Sequence, residues 1–201
     1  MPRGPRAGGQ GAAGGPAHHA LVGEASAHFD PTRRDVPARA LGERAQPRDA
    51  LGIVSQHAGG DRVDRDRIAA ITVDTADENA VREAYKQTQD ALDTPTILVN
   101  GVGGNRSKSD FVDIDVETFE QILALNLLAG LVIPLKVFAR EWINSGVSGS
   151  VINLASMTSY KALSGVWAYN AAKSAVLTLT EGAAKELAAH GIRVNAIAPG
   201  F

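Results

Sequence analysis

A compositional break near residue 67 constrains this chain more than any other feature. Residues 1–67 carry ten of the fourteen arginines, none of the six lysines, six of the nine prolines, four of the five histidines and one aromatic, Phe29. A segment so poor in large apolar side chains has little with which to build a core. From Ile68 onward, short β-branched runs alternate with helical periodicity and ordinary turn residues, as in an α/β sheet. The boundary therefore falls there. An atypical Arg/Gly/Pro-rich segment occupies 1–67, disordered or mis-framed, and one α/β domain occupies 68–201.

The opening MPRGPRAGGQGAAGGPAHHA has arginines and no acid before Glu24. It lacks the apolar stretch of a secretory signal, and its Gly and Pro oppose a transit helix. A flexible tail is one reading. GC-rich DNA translated out of frame is another, since it yields this surplus of Arg, Ala, Gly, Pro and His.

With 201 residues the expectation is a single folded unit. A formal charge of -2 gives no general attraction to nucleic acid or anionic membrane. The chain has no cysteine, which excludes disulfides and thiolate metal sites and suits a cytoplasmic location. The longest apolar run, LALNLLAGLVIPL at 123–135, is interrupted by Asn126 and Pro134 and is shorter than a membrane span. A soluble protein acting on a small molecule is expected.

The local pattern predicts AAITVDT (69–75) as a strand and a helix capped by Asp77 running to about Leu92. TILVN (96–100) is a short strand buried on both faces, ending in the glycine loop GVGGN. Asp115 caps a long helix over 116–144, in which Phe119, Ile122, Leu123 and Leu127 mark the packed face. SVINLAS is a further buried strand, a helix over 166–190 stops at Gly191, and IRVNAIAPGF is a last strand entering a turn.

Tyr169 and Lys173, in VWAYNAAKSAV (166–176), stand at i and i+4 and share one helix face. An isolated phenol, with a pKa of about 10, is a poor base at neutral pH. A neighbouring ammonium favours the phenolate, making the pair a proton donor and acceptor for an alcohol or carbonyl. Alone, the same spacing reads more simply as a half-buried tyrosine beside a snorkelling lysine. Ser156, just past a strand's C-terminal end, occupies the place where open α/β sheets bind ligands. Asn126, inside an apolar helix, must find partners or cost roughly 1 to 3 kcal/mol; by itself it reads as a satisfied core amide.

Taken together, Asn126, NLAS with Ser156, YNAAK with Tyr169 and Lys173, and IRVNAIAPG resemble the short-chain dehydrogenase/reductase family over residues 68–201. The resemblance implies a Rossmann-type, doubly wound parallel sheet, incomplete at both ends, and hydride transfer between NAD or NADP and a carbonyl or secondary alcohol. It implies that Tyr169 is the acid/base, that Lys173 lowers its pKa and bonds the nicotinamide ribose, that Ser156 orients the substrate oxygen and that Asn126 helps relay the proton. Asp74 would meet the adenine ring, Asn100 and Gly101 would line the cofactor, and Pro199 with Gly200 would flank the nicotinamide. Many members pair through long helices, which implies a homodimer or homotetramer.

Two departures stand out. The family's Asn-Asn-Ala-Gly is NGVG (100–103) here, so Gly101 replaces a sheet-bracing amide. The longer NGVGGN resembles the branch that reduces sugar acids such as fructuronate, where Lys108 would meet a substrate carboxylate; a solvated loop lysine is the plainer reading. The second departure is larger, because the family's Thr-Gly-x-x-x-Gly-x-Gly is nowhere in the chain. GQGAAG (9–14) matches G-x-G-x-x-G by chance, without a strand before it or a helix after it. HALV (19–22) and ALGIVS (50–55) are the weak substitutes for the first two strands. An oxidoreductase with a carbonyl, sugar-acid or polyol substrate is the first reading, and a non-catalytic remnant that has lost dinucleotide binding is the alternative.

Overall fold

The computed structural model describes residues 18–24, 50–57, 68–105 and 107–200; the readings of the rest of 1–67 lie outside them. The described elements are strands β1 (His18–Glu24), β2 (Ala50–His57) and β3 (Ile68–Val73), helix α1 (Glu78–Leu92), strand β4 (Ile97–Asn100), helices α2 (Val116–Leu123) and α3 (Ile133–Ser145), strand β5 (Ser150–Leu154), helix α4 (Trp167–Leu187) and strand β6 (Arg193–Ile197).

The strands form one sheet in the order β3-β2-β1-β4-β5-β6. HALV and ALGIVS thus fall in β1 and β2, and β1 lies parallel to β4 with Leu21 opposite Leu98. β4, β5 and β6 continue in parallel. The Rossmann-type parallel sheet is present with one strand reversed: β2 runs antiparallel to both β1 and β3. Connection length supplies the reason. Residues 58–67 are all that join β2 to β3, whereas a parallel crossover takes a dozen residues or more.

Alternation along the strands sorts the two faces. Leu98, Val151 and Val194 are buried and join Val81, Tyr85, Leu135, Phe138, Trp142 and Val176 in one core. Tyr85 and Trp142 both meet Phe138 edge to face, and the Trp142 indole donates to the Pro95 carbonyl at 2.6 Å. The intervening Ile97, Val99, Ile152 and Leu154 are only half-buried. Among the described residues the helices therefore cover one face of the sheet, one layer of the two that a doubly wound fold has.

The caps follow the sequence. Asp77 accepts from the amides of Asn79 and Ala80, Asp115 accepts from that of Thr118, and Gly191 takes the left-handed conformation, φ 72°, that ends the last helical turn. The long helix differs from a regular one. Between α2 and α3 the stretch Ala124–Val132 is π-helical, and Asn126 lies within it with its amide donating to the Ile122 carbonyl at 2.8 Å. A side chain using that acceptor loosens the regular ladder locally. The helical stretch Val116–Ser145 is, by length and composition, long and apolar enough to cross a bilayer, beyond what the interrupted run suggested; 61% of its apolar window is buried inside the protein.

Candidate functional site

The C-terminal ends of β4, β5 and β6 open into a cleft of about 420 Å³, within the range of small-molecule sites. Ser156, Tyr169, Lys173, Gly101, Pro199 and Gly200 all line it. The residues singled out in four separate sequence segments are thereby brought to one place. Lys173 is 5% exposed, and its ammonium lies 5.6 Å from the centre of the Tyr169 ring. Nζ donates to the Leu154 carbonyl at 2.7 Å. Burial lowers its pKa to about 8, which still leaves it mostly charged at neutral pH.

Ser156 caps the short 3₁₀ turn Met157–Ser159, its Oγ accepting from the Thr158 amide at 3.2 Å. The hydroxyl hydrogen remains to be donated into the cleft. Ser159 ties this turn to α4 by donating to the Lys173 carbonyl at 2.7 Å.

Asn126 sits behind the glycine loop instead of on the cleft lining. Its Oδ1 accepts from the Gly104 amide at 3.0 Å while Nδ2 donates to the Gly104 carbonyl at 2.8 Å. The side chain thus holds both backbone groups of one loop residue. Gly103 makes the close approach possible: a Cβ there would lie 2.6 Å from Asn126 Oδ1 and 3.3 Å from Lys173 Nζ.

Three other residues lie apart from the cleft lining. Asn100 is turned into the protein, where Nδ2 donates to Asn153 Oδ1 at 2.8 Å. Asp74 lies beyond β3, at the sheet edge, with its carboxylate accepting from the Ala76 amide at 2.9 Å. Lys108 is exposed, and its stem packs where a Cβ on Gly165 would stand, at 2.9 Å.

Sequence reasoning missed Asn170, whose amide donates to the Leu163 carbonyl at 2.7 Å and fixes one cleft wall. It also missed Asn153, fully buried in β5. The signal was present in both, an amide within an apolar run; the partner of Asn170 lies seven residues back in a loop, and those of Asn153 lie 53 and 27 residues away.

The short chain dehydrogenase family model matches residues 49–201. This chain belongs to that family. The match starts upstream of the segment that carried the sequence resemblance and takes in β2. Among relatives, the chain is 29% identical to the (3R)-3-hydroxyacyl-CoA dehydrogenase of Rattus norvegicus over 78% of its own length and 60% of the relative's. A solved NAD+-bound xylitol dehydrogenase is similar at 30% identity and a TM-score of 0.61, covering 65% of this chain and 50% of that one. ElxO with NADP bound matches at 28% identity and a TM-score of 0.59, covering 64% and 51%. The chain thus spans between half and 60% of the lengths of these relatives.

Proposed function

We propose that this short-chain dehydrogenase is an NAD- or NADP-dependent oxidoreductase that interconverts a secondary alcohol and its carbonyl. The supporting observation is the convergence of Tyr169, Lys173 and Ser156 on one cleft at the strands' C-terminal ends. Names of similar proteins point the same way, since xylitol and a 3-hydroxyacyl group are both secondary alcohols.

The residues fit the nicotinamide end of a dinucleotide. Gly101, Gly103 and Gly104 form an open floor beside Pro199 and Gly200. Lys173 uses one N–H on Leu154 and keeps two for ribose hydroxyls. When bound, the nicotinamide supplies the hydride acceptor or donor. In oxidation the Tyr169 oxygen takes the proton of the substrate hydroxyl; in reduction it gives that proton back. Ser156 donates to the substrate oxygen and orients it, the Lys173 ammonium stands 5.6 Å from the centre of the Tyr169 ring, and Asn126 keeps the glycine loop in place beside the proton path.

For the substrate, NGVGGN argues for a sugar acid, and a polyol is the alternative. The place of Lys108 favours the polyol, because it stands outside the cleft lining and Lys173 is the cation among the described lining residues. A neutral polyol is the better match. We further place the protein in the cytoplasm, as a dimer joined through the apolar groove of about 620 Å³ between α3 and α4, where Ile143 and Leu179 are exposed beside the half-buried Ala183; light scattering showing a monomer would remove the dimer.

The remnant reading draws support from the missing Thr-Gly-x-x-x-Gly-x-Gly run and the reversed β2. Titration of NADH and NADPH, followed by nicotinamide fluorescence and then turnover with xylitol and other secondary alcohols, separates the two. Saturable binding with turnover supports the oxidoreductase; absence of any saturable change supports the remnant.

A further inference from the structure

Gly101 stands where a bracing asparagine is missing, and the structure shows another amide chain across the same strands. Asn100 at the end of β4 donates to Asn153 of β5 at 2.8 Å, and Asn153 donates to Thr180 Oγ1 on α4 at 2.9 Å. Thr180 closes the chain on its own helix, donating to the Val176 carbonyl at 2.7 Å. Asn100, Asn153 and Thr180 are 6%, 0% and 6% exposed, so these bonds have little competition from water.

This chain connects directly to the reactive end of α4. Lys173, Val176 and Thr180 stand at i, i+3 and i+7 and share the face turned to β5. Two polar contacts therefore register α4 on that strand: Thr180 on Asn153, and Lys173 Nζ on the carbonyl of the next residue, Leu154. Both contacts fall on neighbouring residues of β5, seven residues apart along α4.

We propose that Asn153 and Thr180 are positioning residues, setting the register of α4 on β5 so that the Lys173 ammonium is held beside Tyr169 at the cleft. The inference rests on Tyr169 and Lys173 being the reactive pair. Facing Lys173 are Tyr169 from its own helix, the neutral Asn126 and Gly103; the cleft lining has no carboxylate among the described residues.

The experiment compares wild type, Thr180→Val, which keeps shape and deletes the hydroxyl, and Thr180→Ser, which keeps the hydroxyl and deletes the methyl. Lysine side-chain ¹⁵N resonances, assigned with Lys173→Arg, follow the Lys173 ammonium through a pH titration without any substrate. Thr180→Val should move the Lys173 midpoint by about half a pH unit toward that of exposed lysines, and Thr180→Ser should restore it. With a substrate in hand, kcat should fall about fivefold in Thr180→Val while KM stays put. If Thr180→Val fails to fold, Thr180→Ala replaces it. Equal losses of Tm in both variants with an unmoved Lys173 midpoint would overturn the proposal, leaving the chain a structural brace. A shifted midpoint in a protein that turns over no alcohol would uphold the positioning and reject the oxidoreductase reading.

Discussion

On one side of β4 the sheet runs parallel through β5 and β6, crossed by buried amides and ending in a cleft; on the other, β1 joins in parallel but β2 opposes both its neighbours. The two sides differ in how their strands are connected. Helices α2, α3 and α4 give the rear side the long crossovers that parallel strands require, and these crossovers bring Ser156, Tyr169 and Lys173 to one end. Ten residues separate β2 from β3, too few for a parallel crossover. Chemistry at strand ends depends on parallel direction, because only then do successive ends meet on one side.

The sharpest test of the rear side is Tyr169→Phe, which removes the proton carrier and leaves the ring. Turnover should fall by about a thousandfold with NADH affinity retained, measured by steady-state rates beside fluorescence titration. Unchanged turnover would remove the proposed mechanism.

Lys173→Met tests the cost of the site. The folded pKa of Lys173 lies near 8 against an ordinary 10.5, because burial disfavours the charge. Between those values the unfolded chain binds more protons than the folded one, so stability rises with pH across that window. Below about 8 the penalty is fully present, on the order of 3 kcal/mol from the shift, offset in part by the bond to Leu154. Lys173→Met should therefore be more stable than wild type at pH 7, and its advantage should shrink as pH approaches 10.5 in denaturant titrations.

Asn126→Ala strips the glycine loop of both its bonds to Gly104 and should cost about 2 kcal/mol in urea unfolding. The smallest effect is expected on the front side. Replacing the stretch after β1 with a Thr-Gly-x-x-x-Gly-x-Gly turn and a helix should tighten NADH binding about tenfold by supplying amides to a pyrophosphate. No gain would show that the rear cleft alone sets affinity.

Much of this was legible in the residues. Asp77, Asp115 and Gly191 marked helix ends because capping is a local matter, settled within three residues of chain. Tyr169 and Lys173 were recognisable as a pair since a helix fixes i and i+4 on one face. The bond from Asn100, which the resemblance sets against the cofactor, to Asn153 was not legible, since a strand residue's partner depends on its register with the neighbouring strand. The π-helical stretch around Asn126 was equally hidden, arising from an amide that binds both its own helix and a loop 22 residues away.

The sequence by itself determined the α/β alternation, the caps and the pairing of Tyr169 with Lys173 on one face of α4, all of them products of short-range periodicity and local hydrogen bonding. Tertiary structure alone decided the direction of β2, the joining of Asn100, Asn153 and Thr180, and the depth at which Lys173 sits. Each of these depends on which distant segment becomes a neighbour, and burial in the assembled core, not residue type, sets how strongly a charge or an amide is felt there.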